Sequence, residues 1–382
     1  MEALGVISKV DEATDWCVVV PKSDGRVRIC VDLVRLNESV CREYHQMPTV
    51  EQVLAQVPGA QIFSKLDANS GFWQVPLSEE STLLTTFSTP FGRYHFNRLP
   101  FGITSASEHF QRRMSAILEG LDGVVGMVDD VLIYGKNRRE HDERLFAALR
   151  RLVQARLTLN KDECRFFQTK VKFLGQLLSA SGIESDPEKT AAITKFQKPA
   201  SVSEVRRFLG MANQLSKFVP HLASMTKPLR DLLTKKNSWS WGPPQQEAFQ
   251  VVKQALTKSP VLALYDPGLE TTVAADASSY GLGAVLRQKQ ADGTTRPVAY
   301  VSRSMSPTEA RYAQIEKEAL ALTWACERFS DYLIGLRFCI ETDHKPLVPL
   351  FSQKQLDEMP IRIQRFRLRM MRFSFSIRHV PG

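Results

Sequence analysis

The chain has 382 residues, 43% of them hydrophobic, and its 50 Lys and Arg against 41 Asp and Glu give a formal charge of +9. This length exceeds what one hydrophobic core usually supports, so two or three packed units are expected. Charges interrupt the apolar runs well short of the roughly 20 residues that cross a bilayer, which argues against a transmembrane helix and a membrane partner. The positive charge favours polyanions such as nucleic acid, although proteins that never bind DNA reach a similar balance.

The six cysteines are widely spaced, with no CxxC pair and no zinc-ligand spacing. We therefore expect reduced thiols rather than disulfides. The first twelve residues, MEALGVISKVDE, lack the basic start, apolar middle and small-residue cleavage site of a secretory signal. A cytoplasmic protein with access to the nucleus is expected.

Short strands and turns dominate the first part of the chain. Residues 16–33 predict a hairpin, because the runs CVVVP and VRICVDL flank a Ser-Asp-Gly turn. A short helix is expected over residues 48–57, then a strand that ends near residue 66. A second hairpin should bend at residues 90–92, and a longer helix should follow over about 104–118.

Residues 124–134 read VVGMVDDVLIY, in which Asp129 and Asp130 separate two strongly β-prone runs. Acids between burial-prone strands are unfavourable, so this pair calls for an explanation. A helix is predicted over about 138–156 and a hairpin around 171–178, so that the β-rich part ends near residue 182.

The rest of the sequence predicts a helical unit and then a second α/β unit. Helical patterns run from residue 186 to 257, with Trp and Pro residues before the last helix. Alternation returns as TTVAAD, LGAVLRQ and PVAYVSR, followed by a helix over 307–328 and the strand FCIETD. An arginine-rich stretch over 361–372 precedes a final strand over 373–380.

Three aspartates form a candidate metal site. Nucleotide transfer uses two divalent cations bridged by carboxylates, so acids from distant segments must converge. Asp67 ends the apolar run QIFSKLD, and antiparallel pairing with the strands around Asp129 and Asp130 would bring all three to one end of a sheet. The alternative is solvated turn acids, which the burial-prone flanks disfavour.

The motifs SKLDANSGFWQ, FGRYHFNRLPFG, MVDDVLIYG and FLG occur in the order found in reverse transcriptases. The sequence most resembles the enzymes of gypsy-type LTR retrotransposons. This resemblance runs from about residue 15 through the helical unit and continues into an RNase-H-like domain. It implies an α+β right-hand polymerase, with antiparallel palm sheet, fingers and helical thumb, that carries out RNA- or DNA-templated DNA synthesis.

The resemblance implies that three acids bind the catalytic Mg²⁺, for which Mn²⁺ can substitute: Asp67, Asp129 and Asp130. The carbonyl of Ala68 would be a further ligand. Phe72 matches the steric gate, a bulky ring that excludes a ribose 2′-hydroxyl, whereas a core aromatic is the alternative.

Nucleotide and primer contacts are also implied. Lys22 and Arg28 match fingers residues that hold the incoming deoxynucleoside triphosphate, with a solvated hairpin tip as the alternative. The turn that contacts template and nucleotide would comprise Pro100, Phe101 and Gly102. The primer grip would comprise Phe173, Leu174 and Gly175, where glycine permits close backbone approach. The implied partners are an RNA or DNA template–primer and deoxynucleoside triphosphates.

In the last unit, Asp276, Glu318 and Asp343 match the acids of an RNase-H-like site, supplied by a strand, a helix and a strand. Such a site hydrolyses the RNA of an RNA/DNA hybrid by the same two-metal chemistry. The alternative for Glu316 and Glu318 is a charged helix face. The spacing to the following ALAL run matches the family pattern at Glu318, so we interpret Glu316 as a surface residue.

The sequence departs from the family pattern at several points. Met127 replaces an aromatic residue two positions before the paired acids, and Glu163 stands where relatives have a lysine, a role that Lys161 could take over. The sequence stops at HVPG, before the segment with the fourth RNase-H acid and the last helix. We therefore expect an exposed sheet face and weak or absent hybrid cleavage.

These observations predict reverse transcriptase fingers and palm over residues 1–182, a helical thumb or connection over 183–260, and a truncated α/β RNase-H-like domain over 261–382. An inactive nucleic-acid-binding remnant is the main alternative, which Met127 and Glu163 favour and the intact acids oppose. A stand-alone hybrid nuclease is disfavoured by the polymerase motifs.

Overall fold

The computed structural model describes residues 1–10, 15–21, 27–41, 45–234 and 239–381, with only the backbone described for 15–21 and 27–30. Two compact units are present, Met1–Val53 with Ala60–Val171, and Leu54–Gly59 with Lys172–Gly382. No helix in the described ranges is both long and apolar enough to span a membrane.

Two sheets and several helices form the first unit. Its strands are β1 (Ile7–Lys9), β2 (Asp15–Pro21), β3 (Val27–Val31), β4 (Ile62–Asp67), β5 (Phe87–Thr89), β6 (Gly92–Phe96), β7 (Val124–Met127), β8 (Asp130–Gly135) and β9 (Arg165–Gln168). Its helices are α1 (Val34–Ser39), α2 (Val50–Leu54, which ends at the boundary between the units), α3 (Glu79–Leu83), α4 (Ala106–Leu118) and α5 (Arg138–Gln154). The strand orders are β1-β6-β5-β2-β3 and β7-β8-β4-β9.

The β7-β8-β4-β9 sheet is packed against α4 and α5. Both helices are amphipathic, so the residues that recur every three or four positions bury one face of each helix. Phe110 and Met114 of α4 share a core with Leu66 and Val131 of the sheet. This core supports the strand ends on which the predicted acids lie.

In the second unit, a three-stranded sheet and a helical region precede a five-stranded sheet. The three-stranded sheet contains β10 (Lys170–Phe173, which begins at the boundary between the units), β11 (Gln176–Ser179) and β12 (Gly182–Ser185). The helices are α6 (Pro187–Thr194), α7 (Val202–Gln214), α8 (Leu222–Met225), α9 (Lys227–Asp231) and α10 (Pro243–Thr257), and Ser216–Phe218 forms a 3₁₀ turn.

The five-stranded sheet has the order β15-β14-β13-β16-β17, with β13 parallel to β16 and β16 parallel to β17. Its strands are β13 (Thr271–Ala277), β14 (Gly281–Lys289), β15 (Thr295–Ser304), β16 (Arg337–Thr342) and β17 (Ser374–His379). The accompanying helices are α11 (Gln314–Arg328), α12 (Ser330–Leu333), α13 (Leu347–Ser352) and α14 (Ile361–Met370).

The predicted hairpins are confirmed at β2–β3, β5–β6 and β10–β11, while the Ser-Asp-Gly turn of the first lies outside the described residues. The helix predicted over 307–328 begins later, at Gln314. The preceding Glu309–Arg311 is a separate 3₁₀ turn, because the Glu309 carboxylate accepts hydrogen bonds from Arg303 and from the Ser306 backbone N–H. A new helix start follows at Ala313, whose N–H donates to Glu316.

The expectation of an exposed sheet face is wrong for β14 and β15. The segment 216–225 packs on these strands, with Leu222 and Ala223 buried. The backbone N–H of Ala223 donates to Oγ of Ser302 at 3.1 Å. Sequence periodicity did not reveal this contact, because it joins a short helical segment to a sheet some 80 residues later in the chain.

Candidate active sites

The predicted convergence of the three aspartates is confirmed by the strand register. Asp67 at the end of β4 pairs with Asp130 at the start of β8, and Asp130 also pairs with Met127 of β7. Asp129 lies in the tight turn between β7 and β8, where its carbonyl accepts a hydrogen bond from the Ala68 N–H at 2.9 Å. The antiparallel sheet thus brings all three acids to one end.

The turn before the paired acids is strained and braced by a buried side chain. Val128 has φ +52°, an unfavourable left-handed conformation for a β-branched residue. Its N–H donates to Oε1 of Gln111 at 2.6 Å, and Nε2 of Gln111 donates to the Gly126 carbonyl at 3.2 Å. Gln111 is 3% exposed, so this support comes from inside the core.

The Asp129 carboxylate lacks a counter-charge at one oxygen. Its Oδ1 is buried and has no hydrogen-bond partner among the described residues. Burial, and then the charges of Asp67 and Asp130, raise the pKa of Asp129 to about 6. A Cβ on Gly71 would lie only 2.0 Å from Oδ1, so glycine is needed for this close approach.

Asp67 lies in a similar but more exposed environment. Burial, followed by the charges of Glu163 and Asp130, raises its pKa to about 6, while Lys65 opposes this shift. Nζ of Lys65 forms an ion pair with Oδ1 of Asp130 at 2.8 Å. Glu163 therefore increases the negative charge around Asp67, where the family resemblance leads one to expect a lysine.

The donor set fits divalent cations, which bind clustered carboxylate oxygens. Within the described ranges, however, no three His, Cys, Asp or Glu side chains are positioned to hold one ion together. The Lys65–Asp130 ion pair binds one of the carboxylate oxygens to an ammonium group. The unpartnered Oδ1 of Asp129 and the mutual repulsion of the acids are what a cation would relieve.

The residues matched to nucleotide contacts have different surroundings. Phe72 is 9% exposed and packs against the rings of Phe101 and Phe110, with centroids 5.2 and 5.7 Å away. This burial is compatible with the core alternative as well as with a steric gate whose ring edge faces a sugar. Pro100 is buried, and Gly102 has φ +103°, which favours glycine.

Other predicted contacts are described only in part. Lys22 lies outside the described residues, and Arg28 is described only by its backbone, which pairs with Val20. The predicted primer-grip residues belong to the second unit: Phe173, Leu174 and Gly175. Phe173 is buried, and the other two have positive φ values of 49° and 73°. Their roles remain predictions.

The second set of acids converges at one end of the five-stranded sheet. The parallel β13–β16 register pairs Ala274 with Glu341, so Asp276 and Asp343 each lie two residues beyond this pair. Glu318 of α11 is 4% exposed, and its Oε2 has no hydrogen-bond partner in the described part of the chain. Burial, then Asp276, and more weakly Asp343, raise the pKa of Glu318 to about 7.

Glu318 and its neighbour Glu316 have different surroundings and different hydrogen-bond partners. Glu316 caps the start of α11 and pairs with Arg362 at 2.6 Å, so it has a structural role. Gln314 holds Glu318 in place, because its Nε2 donates to Oε1 of Glu318 at 2.6 Å and to the Ala277 carbonyl at 3.3 Å. Three supporting residues were not among the predicted site residues: Gln314, Gln111 and Lys65. An uncharged polar residue on an apolar helix face, as at Gln111, is a detectable signal.

Two family models match this chain. Residues 20–178 match reverse transcriptase (RNA-dependent DNA polymerase), and residues 241–340 match the RNase H-like domain found in reverse transcriptase. Among solved structures, the foamy viral protease-reverse transcriptase dRH in complex with ds DNA has a TM-score of 0.88 at 22% identity, covering 100% of this chain and 68% of that one. The foamy viral protease-reverse transcriptase in complex with dsDNA has a TM-score of 0.86 at 21% identity, covering 99% and 80%. These structures confirm the predicted fold class.

Relatives with similar sequences are transposon proteins. The Transposon Tf2-3 polyprotein of Schizosaccharomyces pombe is 34% identical over 382 residues, which cover 98% of this chain and 29% of that protein. The Retrovirus-related Pol polyprotein from transposon 297 of Drosophila melanogaster is 33% identical over 372 residues, covering 95% and 34%. The chain thus spans about a third of the length of these relatives. It belongs to the reverse transcriptases of LTR retrotransposon Pol polyproteins of the gypsy type, and it carries their RNase-H-like domain.

Proposed function

We propose that the chain is an RNA-directed DNA polymerase that uses a nucleic-acid template–primer and deoxynucleoside triphosphates. The observation that carries this proposal is the pairing of Asp67 with Asp130 beside the buried, unpartnered Oδ1 of Asp129. Foamy viral protease-reverse transcriptase has been solved in complex with dsDNA and with an RNA/DNA hybrid, which supports nucleic acid as the partner. Residues 1–182 would form fingers and palm, and 183–260 the thumb or connection.

In this proposal the carboxylates of Asp67, Asp129 and Asp130 hold Mg²⁺ or Mn²⁺. When bound, the ions activate the primer hydroxyl and neutralise the leaving pyrophosphate. The support from Gln111 holds the strained backbone turn at Val128, directly before Asp129. Burial keeps water away from this oxygen, which strengthens its attraction to a cation.

We further propose that the RNase-H-like domain, residues 261–382, hydrolyses the RNA of an RNA/DNA hybrid. Asp276, Glu318 and Asp343 would hold the cations there, and the unpartnered Oε2 of Glu318 supports this assignment. Gln314 would orient Glu318 through its 2.6 Å hydrogen bond. We propose the cytoplasm as the location, with access to the nucleus, which a fluorescent fusion would test.

An inactive nucleic-acid-binding protein is the second candidate. The observation in its favour is Glu163, whose charge raises the pKa of Asp67 in place of the cation expected there. Such a protein would bind a primer–template with strong salt dependence but would not extend it.

Primer extension on an RNA template with Mg²⁺ or Mn²⁺ tests the two candidates. Extension that Asp129→Asn abolishes, and that the exposed control Asp122→Asn in the turn before β7 preserves, would establish polymerisation at this site. A folded chain that binds the primer–template without extending it would favour the inactive protein. Cleavage of a hybrid that Asp276→Asn abolishes and the exposed control Asp357→Asn preserves would establish the nuclease.

A further inference from the structure

The imidazole of His221 lies against Gly283 of the five-stranded sheet, in the space that a larger side chain at position 283 would occupy. Gly283 of β14 pairs with Asp276 of β13, so positions 276 and 283 face the same side of the sheet. A Cβ on Gly283 would lie 2.8 Å from Nδ1 and 3.2 Å from Cε1 of His221. The imidazole therefore fills the space beside Asp276, where directly opposed side chains start about 5 Å apart.

Several contacts hold the segment that carries His221. Leu222 and Ala223 are buried, and the Ala223 N–H donates to Oγ of Ser302 at 3.1 Å. Oγ of Ser224 lies 3.3 Å from Oγ of Ser278, two residues after Asp276. These contacts hold the segment on the sheet and thereby position the imidazole of His221.

The backbone and ring of His221 have features that a turn alone does not require. The residue has φ +52°, a left-handed conformation that histidine and asparagine tolerate better than most residues. The side chain is exposed, and neither ring nitrogen has a hydrogen-bond partner among the residues that the structure describes. A donor is therefore available beside the acids.

One cavity of about 240 Å³ joins these groups. It is lined by Pro220, His221 and Gly283 together with Asp276 and Asp343. Acids at the ends of two strands and an imidazole from the helical region thus face one space. A phosphodiester that reaches the two aspartates would also meet His221.

We propose that His221 is a substrate-contacting residue of the RNase-H-like site, where its imidazole N–H donates a hydrogen bond to a phosphate oxygen of the strand being cut. This inference rests on the proposed hydrolytic function of Asp276 and Asp343. The reaction remains a hydrolysis, in which the water oxygen bonds to phosphorus, the P–O3′ bond breaks and O3′ takes up a proton. Because His221 comes from the helical region, cleavage depends on how segment 216–225 sits on the sheet.

A binding experiment on the full chain tests this contact directly. The chain is labelled with ¹⁵N-histidine, and the His221 resonances are assigned by their loss in His221→Asn. Addition of a short RNA/DNA hybrid should shift these resonances, with binding followed in parallel by fluorescence anisotropy. Binding that leaves the His221 resonances unchanged would overturn the inference alone, whereas absence of hybrid binding would overturn both the inference and the proposed nuclease.

Single-turnover cleavage of the hybrid provides a second test. His221→Asn keeps a residue that accepts the left-handed backbone, and it should slow cleavage about tenfold with little change in hybrid affinity. Gly283→Ala should act in the same direction, because its Cβ would displace the imidazole. His45→Asn, in the first unit, is the control. Normal cleavage by His221→Asn would contradict the proposal. If the unsubstituted chain does not cleave the hybrid, the shift of the His221 resonances tests the contact instead.

Discussion

Nζ of Lys65 lies 2.8 Å from Oδ1 of Asp130, so a cation of the chain already binds one of the three predicted metal ligands. Both side chains are about three-quarters buried, at 21% and 26% exposed. Lys65→Met should tighten Mn²⁺ binding, on the order of fivefold, because an ammonium group no longer competes for the carboxylate.

Isothermal titration calorimetry with Mn²⁺ measures this effect, in a background in which Asp276→Asn and Asp343→Asn remove the second site. Arg139→Met is the matched control, since Arg139 pairs with Glu143 on the exposed face of α5 at 3.0 Å. Equal effects of the two substitutions would mean that Lys65 acts only through net charge.

Gly71 should not tolerate a methyl group. In Gly71→Ala, the new Cβ would lie 2.0 Å from Oδ1 of Asp129 and 2.8 Å from Cζ of Phe110. Primer extension should be lost, and the free energy of unfolding should fall by about 1–3 kcal/mol, as expected for overpacking. Gly210→Ala is the control for stability, because nothing lies within 4 Å of that position in α7 and alanine favours a helix. Similar melting temperatures for the two variants would contradict the close packing at Gly71.

Reversal of the charge at Glu163 should improve polymerisation at low pH. Glu163 contributes to raising the pKa of Asp67 to about 6, so Glu163→Lys should lower that pKa. More Asp67 is then ionised below pH 6, and the acid limb of the extension rate should move to lower pH. The acid limb of Glu163→Gln should lie between those of the unsubstituted chain and of Glu163→Lys. Asp162→Lys tests whether any nearby cation has the same effect. An unchanged acid limb in Glu163→Lys would exclude this coupling.

Phe72 distinguishes a steric gate from a core aromatic. Phe72→Val should lower the preference for deoxynucleotides over ribonucleotides at least tenfold if the ring excludes a 2′-hydroxyl. Phe110→Leu alters the neighbouring ring, at 5.7 Å, and should reduce stability without changing sugar selectivity. Single-nucleotide incorporation with both nucleotide types measures the ratio. Loss of stability with unchanged selectivity in Phe72→Val would establish the core role alone.

The ion pair of Glu309 with Arg303 should make stability depend on pH. Two hydrogen bonds of 2.8 Å from Arg303, with a further one from the Ser306 N–H, lower the pKa of Glu309 from 4.5 to about 2. Because the folded-state pKa is depressed, this stabilisation is complete above about pH 4.5 and is lost as pH falls towards 2.

Urea unfolding at pH 7 and pH 3 measures this dependence. Glu309→Gln should reduce the free energy of unfolding on the order of 2 kcal/mol at pH 7, and the difference should shrink at pH 3. Glu143→Gln is the control, because Glu143 and its partner Arg139 are 65% and 90% exposed. Its effect should stay below about 0.5 kcal/mol at either pH.

The sequence predicted the sheet that positions Asp67, Asp129 and Asp130, because β-prone runs that end in acids are a local signal. It also distinguished Glu318 from Glu316, a choice that the burial of one and the ion pair of the other support. The supporting side chains were harder to predict. Gln111 is recognisable as a polar residue on an apolar helix face, but its partner Val128 lies elsewhere in the sequence, as does Asp130, the partner of Lys65, so neither contact follows from residue type.

Segment 216–225 covers one face of β14 and β15, and this contact shows why packing between distant segments was the least predictable part of the fold. Sequence patterns alone provide no reason for glycine at position 281 or at position 283. The structure supplies one, since a Cβ at Gly283 would collide with His221 and one at Gly281 would meet the Arg303 carbonyl at 2.7 Å. A glycine adds nothing to the hydrophobic pattern of a strand. The segment that packs on the glycines therefore cannot be identified from periodicity.

Val128 has a consequence for how this sequence can change. A valine in the left-handed region costs about 1–3 kcal/mol relative to a glycine or asparagine, which sequence drift could introduce with single substitutions. The strain is tolerated because the Gln111 side chain holds the Val128 N–H from within the core. The two positions are therefore coupled: once Gln111 is lost, a more flexible residue at 128 becomes the stable choice, and the backbone turn before Asp129 is no longer held by a buried side chain. Copies of this element that have lost selection for polymerisation are expected to change at these two positions together.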